Sequence, residues 1–387
     1  PVAELLNRSQ GAAPSTEVQL RLFGPKEGLP GVAERAERFL LEQAERLGDN
    51  GITVVYANGN HDPGASDVGP RRMEWPKCVR VAPDATPRRI LVHDHGGDSV
   101  GYVTAIGHAT GRVGEDLSRL LPRPSRDLPE VALLHTQVHS SVGAEAHHRY
   151  APSDLTWLRH AGYDYWALGH VHVRQELSED PPIWYSGSLQ GKSWADPGVR
   201  GGLLVDLSDR ARPSITFRPL GPVRWETLEL DGLETRATLD DLERHVLAAW
   251  RRAREGDEGL PGTEWMIRLV LAGASPLWAE LRESEDREML GRELARILGA
   301  LEVSVVADAV HPVIPIEEHR QRTDVLGEAL RLCGQIRRGE AQLAHLEPGS
   351  LAGIGSADPA AVRAYVRRLL ADAEGEIAAH LLEDGAR

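Results

Sequence analysis

The chain of 387 residues has only two cysteines, three methionines and three phenylalanines, and just 5% of its residues are aromatic. Cys78 and Cys333 are far apart and form no Cys-x-x-Cys pair, which excludes zinc-ribbon and thioredoxin-like chemistry. No stretch approaches the roughly 18 consecutive apolar residues that a membrane helix needs. Pro1-Val2-Ala3-Glu4-Leu5-Leu6 has no basic region and no signal-peptide pattern. With few thiols and no export pattern, a cytoplasmic location is expected. Positive charge is also scarce: 44 Lys and Arg face 58 Asp and Glu, a formal net charge of −14. That excludes a globally basic nucleic-acid binder but not a nuclease, because a metal centre supplies its own local positive charge. No Gly-x-Ser-x-Gly elbow and no His-Glu-x-x-His helix occurs. Gly187-Ser188-Leu189-Gln190-Gly191-Lys192-Ser193 has three residues between its glycines, where a phosphate-binding Walker loop needs four. It reads instead as the turn of a hairpin.

What is present is α/β grammar. Ala33, Ala36, Phe39, Leu40 and Ala44 recur at helical spacing, and Gly48-Asp49-Asn50-Gly51 stops that helix. Ile52 to Ala57 is a β-branched run, hence a strand, and the polar loop Asn58 to Gly64 follows at once. Residues 75–110 read as antiparallel strands and turns. Val131 to Leu134 is a buried strand ending in His135, and Tyr165 to Leu168 is another, ending in Gly169-His170-Val171-His172. Between them Ser153 is expected to cap a short helix ending near Ala161. After about Leu220 a strand, a helix, a strand, two helical stretches and a further strand form a separate α+β unit. Glu317 to Leu346 and Pro359 to Leu382 are expected to be amphipathic helices, with Leu326, Leu330, Leu332 and Ile336 on apolar faces.

Three strands thus end in Asn or His: at Asn60-His61-Asp62, at His135, and at His170 with His172. In such folds the C-terminal strand ends converge on one edge, where ligands bind. Imidazole nitrogens and an amide oxygen suit borderline divalent ions. Each segment alone could be a polar turn; the three in this order, each after a buried strand, carry the argument. His93-Asp94-His95 reads as a solvated turn, and His139, His147 and His148 as loop residues. Arg149 and Lys192 are candidate phosphate contacts, and Trp184 and Trp194 candidate stacking surfaces.

These segments resemble the last three metal motifs of calcineurin-like metallophosphoesterases. The run through Tyr150-Ala151-Pro152, Gly162 to His170 and Gly187 to Gly191 is similar to the bacterial DNA repair exonuclease branch of the SbcD and YhaO type. The resemblance implies a four-layer α/β/β/α sandwich over residues 1–220, an α+β capping domain over 221–315 and a C-terminal helical region over 316–387. It implies that Asn60, His135 and His170 hold one divalent metal and that His172 belongs to the other, with manganese expected. It makes His61 the unliganded catalytic histidine and Asp62 the residue that orients it by accepting its ring proton. It also implies DNA as substrate, an SbcC-like coiled-coil ATPase as partner, and a homodimer. The family's opening Asp-x-His and Gly-Asp-x-x-Asp motifs are not found before Gly59. The chain starts at Pro1 without Met, so about 30–60 residues holding those strands are expected upstream. Two other readings stand beside DNA cleavage: a non-catalytic DNA-binding scaffold with a degenerate metal site, and a small-molecule phosphodiesterase.

Overall fold

A computed structural model describes residues 32–65, 73–139, 141, 151–257, 260–338, 340, 374–375, 377–379 and 381–382. The chain divides into two compact units, which meet in sequence between Pro222 and Val223. Among the described residues no helix is long and apolar enough to cross a membrane.

The first unit begins with α1 (Val32–Asp49) and β1 (Val54–Ala57), which pairs in parallel with β2 (Val79–Ala82). α1 buries Ala44, whose carbonyl accepts a 3.2 Å hydrogen bond from the Cys78 thiol, and leaves Phe39, Leu40 and Leu47 exposed. A six-stranded sheet runs in the order β3 (Arg88–His93), β4 (Ser99–Ile106), β5 (Glu130–His135), β8 (Tyr165–Gly169), β10 (Pro182–Tyr185), β9 (Gln175–Glu179). Its four central strands are parallel, and only the edge strands β3 and β9 run antiparallel. The expectation that residues 75–110 are all antiparallel therefore fails at β2, paired in parallel with β1, and at β4, paired in parallel with β5. Strand propensity along a sequence does not reveal which neighbour a strand pairs with, and the pairing partner sets its direction.

The sheet's core holds Ile106, Leu134, Leu158, Trp166, Ile183 and Tyr185. The short pair β6 (Gln137–Val138) and β7 (Pro152–Ser153) follows β5, and α2 (Leu155–His160) follows β7. The cap of α2 is Asp154, whose carboxylate accepts from Trp157 N at 2.8 Å, and not Ser153. Ser153 sits one residue too early, in β7, where its hydroxyl meets Thr136 and Asp116. The segment Gly187–Arg200 is not a hairpin turn either. β10 belongs to the large sheet, whereas β11 (Gly201–Asp206) pairs only with β12 (Ser214–Pro219), so the segment links two sheets.

In the second unit β13 (Val223–Leu230), β14 (Glu264–Ala274) and β15 (Glu302–His311) form a parallel sheet. Helix α3 (Leu239–Ala253) connects the first two strands; α4 (Trp278–Arg282) and α5 (Ser284–Leu298) connect the second and third. Thr238 caps α3, and Gly299 in the left-handed region ends α5, so each boundary is set by local chemistry. Leu242, Val246, Trp250, Trp265, Ile267, Leu269 and Leu294 fill the core between sheet and helices. The expected long helix from Glu317 is two helices, α6 (Ile316–Arg320) and α7 (Val325–Arg338). Asp324 breaks it: its carboxylate accepts from Gly327 N at 3.1 Å, an N-cap that starts a new helix. Leu326 and Leu330 pack with Ala378, but Leu332 is exposed, because it lies off that buried face. Residues 341–373, including the end of the first expected tail helix and the start of the second, lie outside the described residues.

Candidate functional site

Parallel pairing puts the C-terminal ends of β4, β5 and β8 side by side, and each is followed by a histidine. His108 follows β4 by one Gly, His135 ends β5, and His170 follows Gly169 of β8. In the β5–β8 register His135 stands opposite Gly169. The ring of His135 lies 5.1 Å, centroid to centroid, from those of both His108 and His170, edge-on to each.

His135 is the hub. Its Nε2 lies 2.8 Å from Asn60 Oδ1 and 3.2 Å from His170 Nδ1. Two ring nitrogens that face each other at this distance need either a shared proton or a shared cation. Burial, and then the charges of His108, His170, His61 and His172, lower the His135 pKa from 6.5 to about 3. The ring is therefore neutral near pH 7, with a lone pair available. Gly59 leaves it room: a Cβ there would stand 2.7 Å from ring atoms of His135. The loop that carries Asn60 can approach only because residue 59 has no side chain.

The Gly59–Asp62 turn is locked by Asp62. One carboxylate oxygen accepts from Gly59 N at 2.9 Å, and the other accepts from the Tyr56 hydroxyl. The Asn58 amide donates to the Asp62 carbonyl at 2.6 Å. Burial, then the Asp62 hydrogen bond and charge, push the Tyr56 phenol upward, so it stays a donor. The expected His61–Asp62 hydrogen bond does not form. Both Asp62 oxygens point into the turn, while His61 is exposed beyond it.

Sequence reasoning missed His108. It is fully buried; its Nε2 lies 2.8 Å from the His135 carbonyl, and its backbone N–H donates to the Asn58 carbonyl at 2.9 Å. Its Nδ1 is buried with no hydrogen-bond partner, and burial lowers its pKa. His108 thus ties the β1 loop, through its backbone N–H, to the end of β5, through its ring. The signal was available, because Val103 to Ile106 followed by Gly107-His108 repeats the pattern of the other strand ends.

His170 has φ of 102°, a left-handed conformation that costs a non-glycine residue about 1–3 kcal/mol. Such strain persists where the surroundings hold a side chain in place for a purpose. His170→Gly is expected to be about 1–2 kcal/mol more stable to urea than His170→Ala in metal-free buffer. Equal stabilities would show that the backbone here is unstrained.

His172 lies two residues beyond His170. Its Nδ1 is 3.3 Å from an oxygen of Asp196, a residue that sequence reasoning also missed. Burial alone would raise the Asp196 carboxyl, but the His172 hydrogen bond and the nearby His172 and Arg200 charges hold it below the usual range. The Lys192 side chain is exposed, while its backbone N–H meets Asp196 at 3.4 Å. Trp184 and Trp194 are half-buried and His139 is exposed. Asp94 accepts from Gly96 N and Asp98 N, each at 2.9 Å, in the exposed β3–β4 turn. His147, His148 and Arg149 lie outside the described residues.

Asn60, His135 and His170 are thus brought into contact, with His61 and His172 beside them. Among the described residues, no three His, Cys, Asp or Glu side chains are arranged to hold an ion. The three-donor group found here includes an amide oxygen.

No family model matches the chain. It is 31% identical over 246 residues to a Bacillus subtilis (strain 168) protein described as "Uncharacterized metallophosphoesterase YhaO". The aligned part is 63% of this chain and 57% of the relative, so the chain spans little more than half the length of that curated protein. The mixed α/β architecture is consistent with the sandwich of a metallophosphoesterase, the description that this relative carries.

Proposed function

We propose that the chain belongs to a metal-dependent phosphodiesterase that cleaves DNA in repair, using two divalent ions, with manganese the preferred metal. The observation that carries this reading is the meeting of Asn60, His135 and His170 at the C-terminal ends of parallel strands. Donor atoms bound at about 2.1 Å and at right angles stand about 3.0 Å apart. The separations of 2.8 and 3.2 Å around His135 Nε2 fit one such ion. Two imidazoles and an amide oxygen also suit a borderline metal.

In this reading His172 serves the neighbouring ion. A bound pair of ions would polarise a phosphoryl oxygen and lower the pKa of water. The chain's own residues do the rest. Neutral His135 offers a lone pair where a protonated ring would repel a cation. Tyr56 and Asp62 stiffen the turn, so that Asn60 keeps its place and His61 faces outward. His61 then hands a proton to the leaving oxygen as a general acid. DNA, an SbcC-like coiled-coil ATPase and a second copy of the chain are the proposed partners.

The test is Mn²⁺-dependent degradation of linear duplex DNA by the full-length gene product, beside hydrolysis of bis-(p-nitrophenyl) phosphate. His61→Ala is expected to slow DNA cleavage by about 10²–10⁴-fold, the span of a lost general acid, without changing Mn²⁺ stoichiometry. Rapid hydrolysis of the small ester without DNA cleavage would favour a small-molecule phosphodiesterase. Mn²⁺ binding with neither activity would favour a non-catalytic DNA-binding scaffold.

A further inference from the structure

His172 ends no strand, so something other than the sheet must hold its ring. Its carbonyl accepts from Ser188 N at 3.1 Å and from the Arg200 guanidinium. A Cβ at Gly187, which has φ of 75°, would stand 2.8 Å from that carbonyl. The segment Gly187–Arg200 therefore folds directly onto the His172 backbone. Within it the Asp196 side chain is only 9% exposed; one oxygen faces His172 Nδ1 and the other meets Lys192 N. Arg200 is equally buried, anchored on the Pro197 carbonyl at 2.9 Å and 3.9 Å from Asp196 Oδ1. The His172 side chain remains 42% exposed.

An ionised carboxylate can only accept, so the nitrogen facing it must carry the proton. In a neutral ring that leaves the lone pair on Nε2. We propose that Asp196, braced by Arg200, is a positioning residue that fixes His172 as the Nδ1–H tautomer and presents Nε2 to the candidate centre. What Nε2 then binds rests on the metal reading above; the tautomer does not. Asp62 does not play this part for His61, since its oxygens are engaged by Gly59 N and by the Tyr56 hydroxyl.

The experiment is long-range ¹H–¹⁵N correlation NMR on the metal-free chain at about pH 8, where ordinary imidazoles are neutral. His172 is assigned from the signals lost in His172→Gln. Wild type is expected to show a protonated Nδ1 and an unprotonated Nε2. Asp196→Asn can turn its amide N–H toward Nδ1 and should move the proton to Nε2; Asp196→Glu should restore the original form. A wild-type ring protonated on Nε2, or evenly mixed, overturns the proposal without recourse to any variant. So does an unchanged tautomer in folded Asp196→Asn. In a Mn²⁺ titration, Asp196→Asn is expected to bind about 10–100-fold more weakly, the usual cost of losing such an outer partner. A wild type that binds no Mn²⁺ overturns the metal reading alone, and the tautomer still decides the role of Asp196.

Discussion

His135→Ala is expected to weaken Mn²⁺ binding by more than the roughly 10–100-fold that loss of an outer hydrogen bond costs. It should also cut phosphodiester hydrolysis by the full-length gene product about 10²–10³-fold. The reason is position: Asn60 Oδ1 and His170 Nδ1 both converge on His135 Nε2, so the variant removes the donor that the other two share. Several kcal/mol of charge stabilisation come with a bound ion, and each 1.36 kcal/mol is tenfold in rate. A second readout needs no metal. Unfolded His135 titrates near its ordinary 6.5, and the folded residue near 3. Between those values the unfolded chain binds the extra proton, so stability is lost as the pH falls. From pH 7 to pH 5 this residue alone should cost metal-free wild type on the order of 2 kcal/mol, measured by urea denaturation. His135→Ala should lose less over the same interval, whatever its starting stability. An identical pH slope in the two proteins would mean that His135 is not held neutral by its surroundings. Unchanged Mn²⁺ affinity would remove the hub from the candidate site.

Those sequence features that carry their own geometry were legible. Each strand that ends in His135 or His170 is a short apolar run, and alternation of apolar run with polar loop survives any tertiary arrangement. The meeting of His135 with His170 followed from parallel strands sharing one edge, whereas Asn60 arrives from the separate β1–β2 pair, its loop tied to the end of β4 by the His108 N–H to Asn58 carbonyl bond. Other features depended on which partner a polar group finds in space, and a linear sequence does not say. Asp62 stands beside His61 in sequence, yet the turn brings Gly59 N and the Tyr56 hydroxyl closer to its carboxylate. Asp196 reaches His172 only because Gly187–Arg200 folds back on it. His108 had the same strand-end signature as His135, but it lay in a stretch whose strands read as antiparallel, which hid the shared edge. The long C-terminal helix was over-extended because amphipathic spacing continues through Asp324, whereas the cap that Asp324 forms decides where α7 begins.

Glu130→Ala is expected to cost about 3–5 kcal/mol in urea denaturation, although Glu130 lies at the end of β5 remote from His135. This carboxylate is fully buried, and three donors converge on it: Arg89 Nε at 2.9 Å, the Thr104 hydroxyl, and Ser125 N at 2.5 Å. Removing it leaves the wholly buried Thr104 hydroxyl and a backbone N–H without their acceptor, and that loss dominates. The ion pair itself contributes less, because the Arg89 side chain is 35% exposed and its charge is partly screened. Arg89→Ala should therefore cost less than Glu130→Ala, perceptibly so in the same assay. The backbone joins in: Glu130 N donates to Asp164 at 2.8 Å, Asp164 N donates to the Glu130 carbonyl, and Arg210 grips Asp164 with two hydrogen bonds. Glu130 opens β5 and Asp164 immediately precedes β8, so this polar cluster pins the starts of the two strands against each other. With the starts pinned, the parallel register runs forward to His135 opposite Gly169, and the two histidines meet. A slip by one residue would turn His135 to the opposite face. Glu130→Gln keeps the shape and one acceptor, and should cost less than the alanine variant while leaving Mn²⁺ affinity close to wild type. A loss below about 1 kcal/mol for Glu130→Ala would mean that solvent reaches this end of the sheet and that the register is set elsewhere.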